Sequence, residues 1–367
     1  MLQLKDDTFT AHQKRALEIC REIERRELKF FWSCDTRVDV LNEELLLAMR
    51  RAGCQRLSLG VESGSDQILK NIDKKISAEE IRAAAQLAKD VGIQVRFYMM
   101  LGNRGETQET FAQTLEFLEQ AQPHQYVFSC LSVYPGTRDF TKAVSDGWLD
   151  PEIFFSGDFQ ELKTPFDADQ ATTEAMNEWF FEHRGIQHFY EEDVPTARGI
   201  LEKVGPYAGA HMDLAGALFR AGELEESEEH VMEALRLGYP APGLALNYLA
   251  VIALRRGDIE AMKDLFMKAA KTDPQHHILM KNVEAARAWF REQGPERGIE
   301  LRLDAHHQFQ LLERTNQPTL PGPLPEDFAD WSAAPQALPR AAPKSHEVML
   351  EGHEKQGFPS KRLRVLA

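Results

Sequence analysis

Between residues 28 and 133 the apolar pattern switches back and forth between the period of a strand and the period of a helix. That alternation constrains the chain more than anything else in it. "LKFFWSC" (28–34), "QRLSLGV" (55–61), "IQVRFYMML" (93–101) and "QYVFSCLSV" (125–133) read as strands. Between them lie amphipathic segments with helix-start signals. "NEELLLAMRRAG" (42–53) has Asn42 as N-cap, a Leu41–Leu46 staple and Gly53 at its stop. "SAEEIRAAAQLAKDVG" (77–92) carries a Ser77/Glu80 capping box, and "TQETFAQTLEFLEQA" (107–121) is the third helix. "LQLKDDTFT" (2–10) reads as one more short buried strand, running into an acidic loop and a helix start. Strand–helix alternation at this spacing predicts a parallel sheet with right-handed crossovers, as an open doubly wound sheet or a barrel. No GxGxxG follows a strand, which weakens a dinucleotide-binding reading.

In a parallel α/β fold the strand C-terminal ends share one face, where ligands bind. Here those ends are polar and glycine-rich: Asp6-Asp7, Cys34-Asp35-Thr36-Arg37, Glu62-Ser63-Gly64-Ser65, Gly102 to Glu106, and Tyr134 to Thr137. A carboxylate at the end of a buried strand must be paired or bonded. Glu62 therefore either meets a ligand's ribose hydroxyls or ammonium, or serves as a structural carboxylate. Ser63 and Ser65 suit a polar ligand and equally suit a turn. Gly102 and Gly105 allow a tight turn whose helix-start amides can meet an anion. Arg96, between Val95 and Phe97, points inward at a ligand or outward under a helix with its stem packed. Cys20, Cys54 and Cys130 read as small packed hydrophobes, and Cys34 as the cysteine at a strand end. The four cysteines form no CxxC or zinc-type cluster, and the neighbouring pairs His276-His277 and His306-His307 cannot easily share one metal on a helix. No metal ligand is assigned.

After Asp158 the strand pattern is expected to stop. "LAGALFRAGELEE" from Leu214 recurs as "LAVIALRRGDIEA" from Leu249, an offset of 35 residues. This predicts tetratricopeptide-type helix pairs capped by 197–213 and by a helix from Ile278 to Arg291, with Ala215, Leu218, Leu224, Ala250, Ala253 and Ile259 packed between them. Residues 315–345 hold seven of the 18 prolines and read as linker or disordered tail; the last residues of the chain, "SKRLRVLA" (360–367), are basic and apolar. The net charge of −15 argues against general binding to nucleic acid or to anionic membranes. No secretory signal or membrane-length apolar run is visible, so a cytoplasmic protein is expected.

"DDTFT", "CDTRVDVLNEELLLAMRRAGCQRLSLGVESGSDQIL", "MMLGNRGET" and "SVYPGT" occur in the order and at the spacing found in radical SAM proteins, and over residues 2–140 the chain most resembles the subgroup with an N-terminal cobalamin-binding domain. The resemblance implies an incomplete (β/α)6 partial TIM-type barrel, α/β in class, before an all-α tetratricopeptide-like region. The domain expectation is a barrel of strands two to six over 1–165, a connecting helical segment over 166–196, helical repeats over 197–300 and a Pro-rich, largely disordered tail over 301–367. The resemblance implies that S-adenosylmethionine lies across the strand ends. Asp6 and Asp7 would sit at its methionine moiety, and Glu62 and Ser63 at its ribose. Met100 to Glu106, including Gly102, would lie near the adenine, with Tyr134 as a further adenine contact. Arg104 stands where the motif usually has proline, and is not carried over.

By the resemblance "LQLKDDTFT" is the family's second barrel strand. The preceding strand and its CxxxCxxC loop, whose thiolates hold a [4Fe–4S] cluster, have no counterpart here. Two expectations follow. One is an N-terminally incomplete radical SAM enzyme, inactive alone, whose complete form would cleave S-adenosylmethionine reductively for hydrogen abstraction or methyl transfer, with cobalamin only in a longer form. The other is an interaction scaffold that binds a protein or peptide at the helical repeats beside a vestigial barrel. The first strand is expected to leave an exposed apolar edge.

Overall fold

The computed structural model describes residues 2–147, 149–155, 170–182, 186–188, 192–274, 276–291, 299–303 and 311–315. Residues 316–367 of the expected Pro-rich tail, the Asp158 boundary and the pair His306-His307 lie outside the described residues, while 301–303 and 311–315 within the expected tail are strand.

Strand and helix alternate through the N-terminal half as β1 (Leu2–Leu4), α1 (Gln13–Arg25), β2 (Trp32–Thr36), α2 (Glu43–Arg51), β3 (Cys54–Glu62), α3 (Asp66–Asn71), α4 (Ala78–Lys89), β4 (Gln94–Leu101), α5 (Gln108–Ala121), β5 (Gln125–Cys130) and α6 (Arg138–Ser145). Then come α7 (Gln170–Glu182) and a short β6 (Ile186–His188). The six strands form one sheet in sequence order, with β1 to β5 parallel and β6 antiparallel to β5. This is a partial α/β barrel, as expected.

The helix starts are where the capping chemistry puts them. Asn42 Oδ1 accepts from Leu45 N at 2.9 Å, and Ser77 and Glu80 form a reciprocal capping box. Thr107 caps α5 with Thr110 in the position a Glu or Gln usually takes. Apolar side chains of β2 to β5, among them Leu57, Leu59, Val95, Phe97 and Phe128, form one core with Leu45, Leu46 and Met49 of α2, Ile81 and Ala85 of α4 and Phe117 of α5. Gly64 has no alternative at its position, because a Cβ there would collide with the Phe117 ring.

Two expectations need correction. β1 is not buried as its pattern suggests but lies at the sheet edge with an exposed apolar residue, as the expected edge requires: it pairs with β2 alone among the described residues, and Leu2 is 57% exposed. Strands also do not stop after Asp158, since β6 extends the sheet and β7 (Ile299–Leu303) pairs antiparallel with β8 (Leu311–Thr315). A three-residue strand is too short to leave an alternation in the sequence.

The C-terminal part is helical: α8 (Val194–Val204), α9 (Ala208–Ala221), α10 (Leu224–Arg236), α11 (Pro242–Arg255), α12 (Ile259–Thr272) and α13 (His277–Arg291). The 35-residue offset superposes α9–α10 on α11–α12. Ala215, Ala250, Ala253 and Ile259 share one core with Leu224 packed against it, while Leu218 is buried beside Ala197 of α8.

The helices are bonded to the sheet at the N-terminal ends of its strands. Arg50 of α2 is fully buried and donates to Asp213 of α9 and to Gln55 of β3. Its guanidinium lies 5.1 Å from the centre of the Tyr207 ring, and Gln55 Nε2 donates to the Tyr207 hydroxyl at 2.8 Å. Lys203 with Glu43, at 2.7 Å, and Arg51 Nε to Val204 O, at 3.0 Å, close the seam. Removing one member of a buried pair strands the other charge. Arg50→Met is therefore expected to lower the urea-unfolding free energy by about 3–5 kcal/mol. Arg50→Met with Asp213→Leu should recover much of that loss. A double variant no more stable than the single one would refute this account of the seam.

Candidate functional site

The sheet has two chemically different faces. Cross-strand register puts Asp35, Ser58, Arg96 and Gln125 in one row across β2 to β5, on the face opposite the helix-covered apolar side chains. Arg96 thus points inward, and its Nε donates to Gln125 Oε1 at 2.8 Å.

At the C-terminal ends of the strands, Glu62 closes β3 in the left-handed region, with φ 68°. That conformation is strained for a residue with a side chain, and such strain persists only where the surroundings hold it. Lys74, in the connection between α3 and α4, holds it here: Nζ lies 2.9 Å from Glu62 Oε1. Both side chains are half-buried, and the pair lies over Gly60, whose missing Cβ would meet the carboxylate at 2.9 Å and the ammonium at 3.3 Å. The register shift between Gly60 and Glu62 against β4 re-aims the strand end.

The other expected residues are placed as follows. Asp6 is exposed and accepts from Thr8 N at 3.0 Å and from Arg15 at 3.3 Å; Asp7 beside it is exposed. Tyr134 is exposed, and its carbonyl accepts from Thr137. Ser63 is fully buried and turned toward α5: its hydroxyl bonds Thr114 Oγ1 at 3.0 Å and accepts from Ser65 N at 3.1 Å. Ser65 likewise donates to Gln113 at 2.7 Å.

Glu106 fills its own loop. Its Oε2 accepts from Gly102 N at 2.7 Å and Asn103 N at 3.0 Å. The turn amides of Gly102 and Asn103 are therefore taken by an internal anion, and the helix-start amide of Thr110 by Thr107 Oγ1. Burial pushes the Glu106 carboxyl up from 4.5 to about 6, against the two amide bonds that pull it down.

Cys34 corrects an expectation. It lies in mid-strand on β2, buried in the core, and not at a strand end. A hydrogen bond with Cys54, then burial, pushes its thiol far above the ordinary range, and burial pushes Cys20 up to about 12. Cys130, the last residue of β5, is half-buried. No group of three or more His, Cys, Asp or Glu suited to a metal ion occurs among the described residues, and no helix among them is long and apolar enough to cross a membrane.

Lys74 is the strand-end residue that sequence reasoning missed. It sits in the charged run "DKK", which reads as solvated surface. The one available signal was a buried-strand carboxylate in need of a cation. A cavity of about 410 Å³ opens at the opposite end of the sheet, lined by Phe30, Gly53, Val204, Tyr207 and Pro240. It belongs to the seam between sheet and helices.

Residues 6–118 match the family model of the radical SAM superfamily. An uncharacterised methyltransferase of Pyrococcus horikoshii is 32% identical over 148 residues, which cover 40% of this chain and 32% of that protein. The anaerobic magnesium-protoporphyrin IX monomethyl ester cyclase of Rubrivivax gelatinosus is 33% identical over 134 residues, covering 36% and 24%. Among solved structures, the radical S-adenosylmethionine methyltransferase TsrM of Kitasatospora setae aligns at a TM-score of 0.37 and 17% identity over 59% of this chain and 42% of that one. The chain thus spans a third or less of the length of the two relatives compared by sequence.

The raised carboxyl of Glu106 has a definite sign. Its folded pKa of about 6 lies above the unfolded 4.5, so the folded state holds the proton more tightly. The group's contribution is most favourable below pH 4.5 and falls by roughly 2 kcal/mol as pH rises through 6. Glu106→Gln keeps an acceptor for the two amides and removes the buried charge. Unfolding followed from pH 4.5 to 7 should show a shallower fall for the variant than for the parent. Parallel curves would mean that Glu106 is not the titrating group.

Proposed function

We propose, because residues 6–118 match the family model of the radical SAM superfamily, that the strand-end face of this chain holds S-adenosylmethionine, as part of an enzyme performing hydrogen abstraction or methyl transfer on a small molecule. One observation carries the reading: the Glu62–Lys74 pair folded over Gly60 at a strained strand end. A carboxylate accepts from the two hydroxyls of a ribose, and an ammonium donates to an amino-acid carboxylate. S-adenosylmethionine carries both groups, so a pair that can open toward it fits its chemistry. Glu106 and Gly102 shape the adjoining loop, Ser63 fixes the turn behind Glu62, and Asp6, Asp7 and Tyr134 offer polar and aromatic groups on the same rim.

The cysteines present do not fit a [4Fe–4S] cluster. Cys20, Cys34 and Cys54 are buried thiols, Cys20 and Cys34 with raised pKa, and Cys130 on β5 is a single further thiol. Cluster ligation needs thiolates gathered around one open site.

Equilibrium dialysis with labelled S-adenosylmethionine tests the reading. Saturable binding is expected, weakened about tenfold or more by Glu62→Gln and by Lys74→Met, as expected for loss of a charge-assisted hydrogen bond. No saturable binding by the parent, or equal binding by all three proteins, would sink it. Anaerobic incubation with iron and sulfide should leave no cysteine-dependent visible absorbance. A stoichiometric cluster lost on Cys130→Ser would overturn the assignment of these thiols.

A second reading rests on Met232 and Met267. They are 54% and 44% exposed and stand 35 residues apart, at equivalent places of the helical repeat. They suit docking of an apolar peptide segment. A peptide-array screen in which Met232→Glu with Met267→Glu binds everything the parent binds would rule it out.

A further inference from the structure

A parallel sheet usually presents apolar side chains on both faces, because both are covered. This one does not. Beside the row of Asp35, Ser58, Arg96 and Gln125, the next row toward the strand starts pairs Ser33 with Arg56. Ser33 and Ser58 are buried, and Asp35, Arg56 and Arg96 are half-buried. Ser33 Oγ, Asp35 Oδ1 and Arg56 Nε are enclosed with no hydrogen-bond partner. Buried polar atoms are seldom left so, since each costs about 1–3 kcal/mol.

The charges add a second observation. Arg56 and Arg96 stand on neighbouring strands, two rungs apart, and Asp35 is the carboxylate of the row. Burial and then repulsion from Arg96 pull Arg56 down to about 10. Gln125 Oε1 accepts from both Nε and Nη2 of Arg96 and so fixes the plane of its guanidinium. Two cations stand near one carboxylate, whose Oδ1 has no hydrogen-bond partner, and the cluster is left with one net positive charge.

We propose that Arg56 and Arg96 form an oxyanion-holding floor inside the barrel, which takes the carboxylate or phosphate of the substrate, while Asp35 accepts from a hydroxyl or ammonium on the same molecule. The floor is distinct from the strand-end face. Ser58 and Arg56 precede Glu62 on β3 by four and six residues, about 13–20 Å along the strand at the usual rise. A substrate anchored there by its anionic end extends toward the rim, where S-adenosylmethionine is placed. The inference deepens the reading of the barrel as a radical SAM site and rests on it for the word substrate. Its oxyanion chemistry rests on the arginines alone.

The test uses the full chain and two probes, inorganic phosphate and succinate, each against sodium chloride at equal ionic strength. Either probe at about tenfold its dissociation constant should raise the unfolding midpoint by about 2–4 °C. Arg56→Gln and Arg96→Gln should abolish most of that rise. Without the probe, both variants should melt at or above the parent temperature, because a repulsion has been removed. Response to one probe alone assigns the floor to phosphate or to carboxylate. The inference is overturned if neither probe stabilises the parent, if the variants respond as the parent does, or if either variant alone melts well below the parent, which would make that arginine structural. Dialysis with S-adenosylmethionine on the same proteins keeps the two readings apart. Arginine variants that lose the anion response and keep nucleotide binding support the floor. Loss of nucleotide binding by Glu62→Gln with the anion response intact bears only on the rim.

Discussion

Every parallel strand in this sheet must satisfy two different surroundings at once. On one face Leu57, Leu59, Val95 and Phe97 are sealed under α2, α4 and α5. On the other, Ser58 and Arg96 stand in the row that faces the barrel interior. A one-residue slip of register would put arginine into the helix layer and phenylalanine into the barrel, so the alternation fixes the pairing as well as the faces. That constraint explains how an interior can be polar without the fold failing. The helix-side core supplies the apolar burial, and the inner face is left to chemistry.

The helical region depends on the same sheet. Arg50 leaves α2 and ends between Asp213, Gln55 and the Tyr207 ring, which joins the helix layer of the sheet to α9 and to the turn before it. Desolvating a guanidinium is costly, and the arrangement stands because hydrogen bonds and an aromatic face surround it. The specificity of that geometry fixes how α9 meets the sheet. Any ligand that loads the repeats therefore acts on helices bonded to the N-terminal ends of the strands, the end remote from Glu62 and Lys74.

Much of this was legible in advance. Asn42, Ser77 and Thr107 announced three helix starts because capping is local, and local chemistry survives in sequence. Ala215 and Ala250, which the 35-residue offset aligns, lie in one core cluster. What was not legible depends on distant partners. Lys74 looks like surface until Glu62 is seen beside it. Ser63 looks ready for a ligand until Thr114 of α5 takes its hydroxyl. Cys34 looks like a strand end because β2 begins four residues later than its apolar run. Arg56 carries no signal of its own in "QRLSLGV", because a polar residue at alternate positions is what a strand with one polar face shows.

The placing of charge discriminates among nucleotides. The turn after β4 has the backbone amides that elsewhere receive a phosphate, and Glu106 occupies them. Glu62, Asp6 and Asp7 add carboxylates to the same rim, where Lys74 is already paired and Arg37 is held by Asp39 at 2.8 Å. A nucleoside polyphosphate would meet carboxylates at the positions where it needs donors. On the proposed reading, a nucleoside that bears a positive sulfonium and no phosphate would avoid that repulsion. Two further cations, Arg56 and Arg96, stand on the inner face. Under the two proposals the barrel would separate its electrostatics by depth, with carboxylates at the strand ends and Arg56 and Arg96 on the inner face below them.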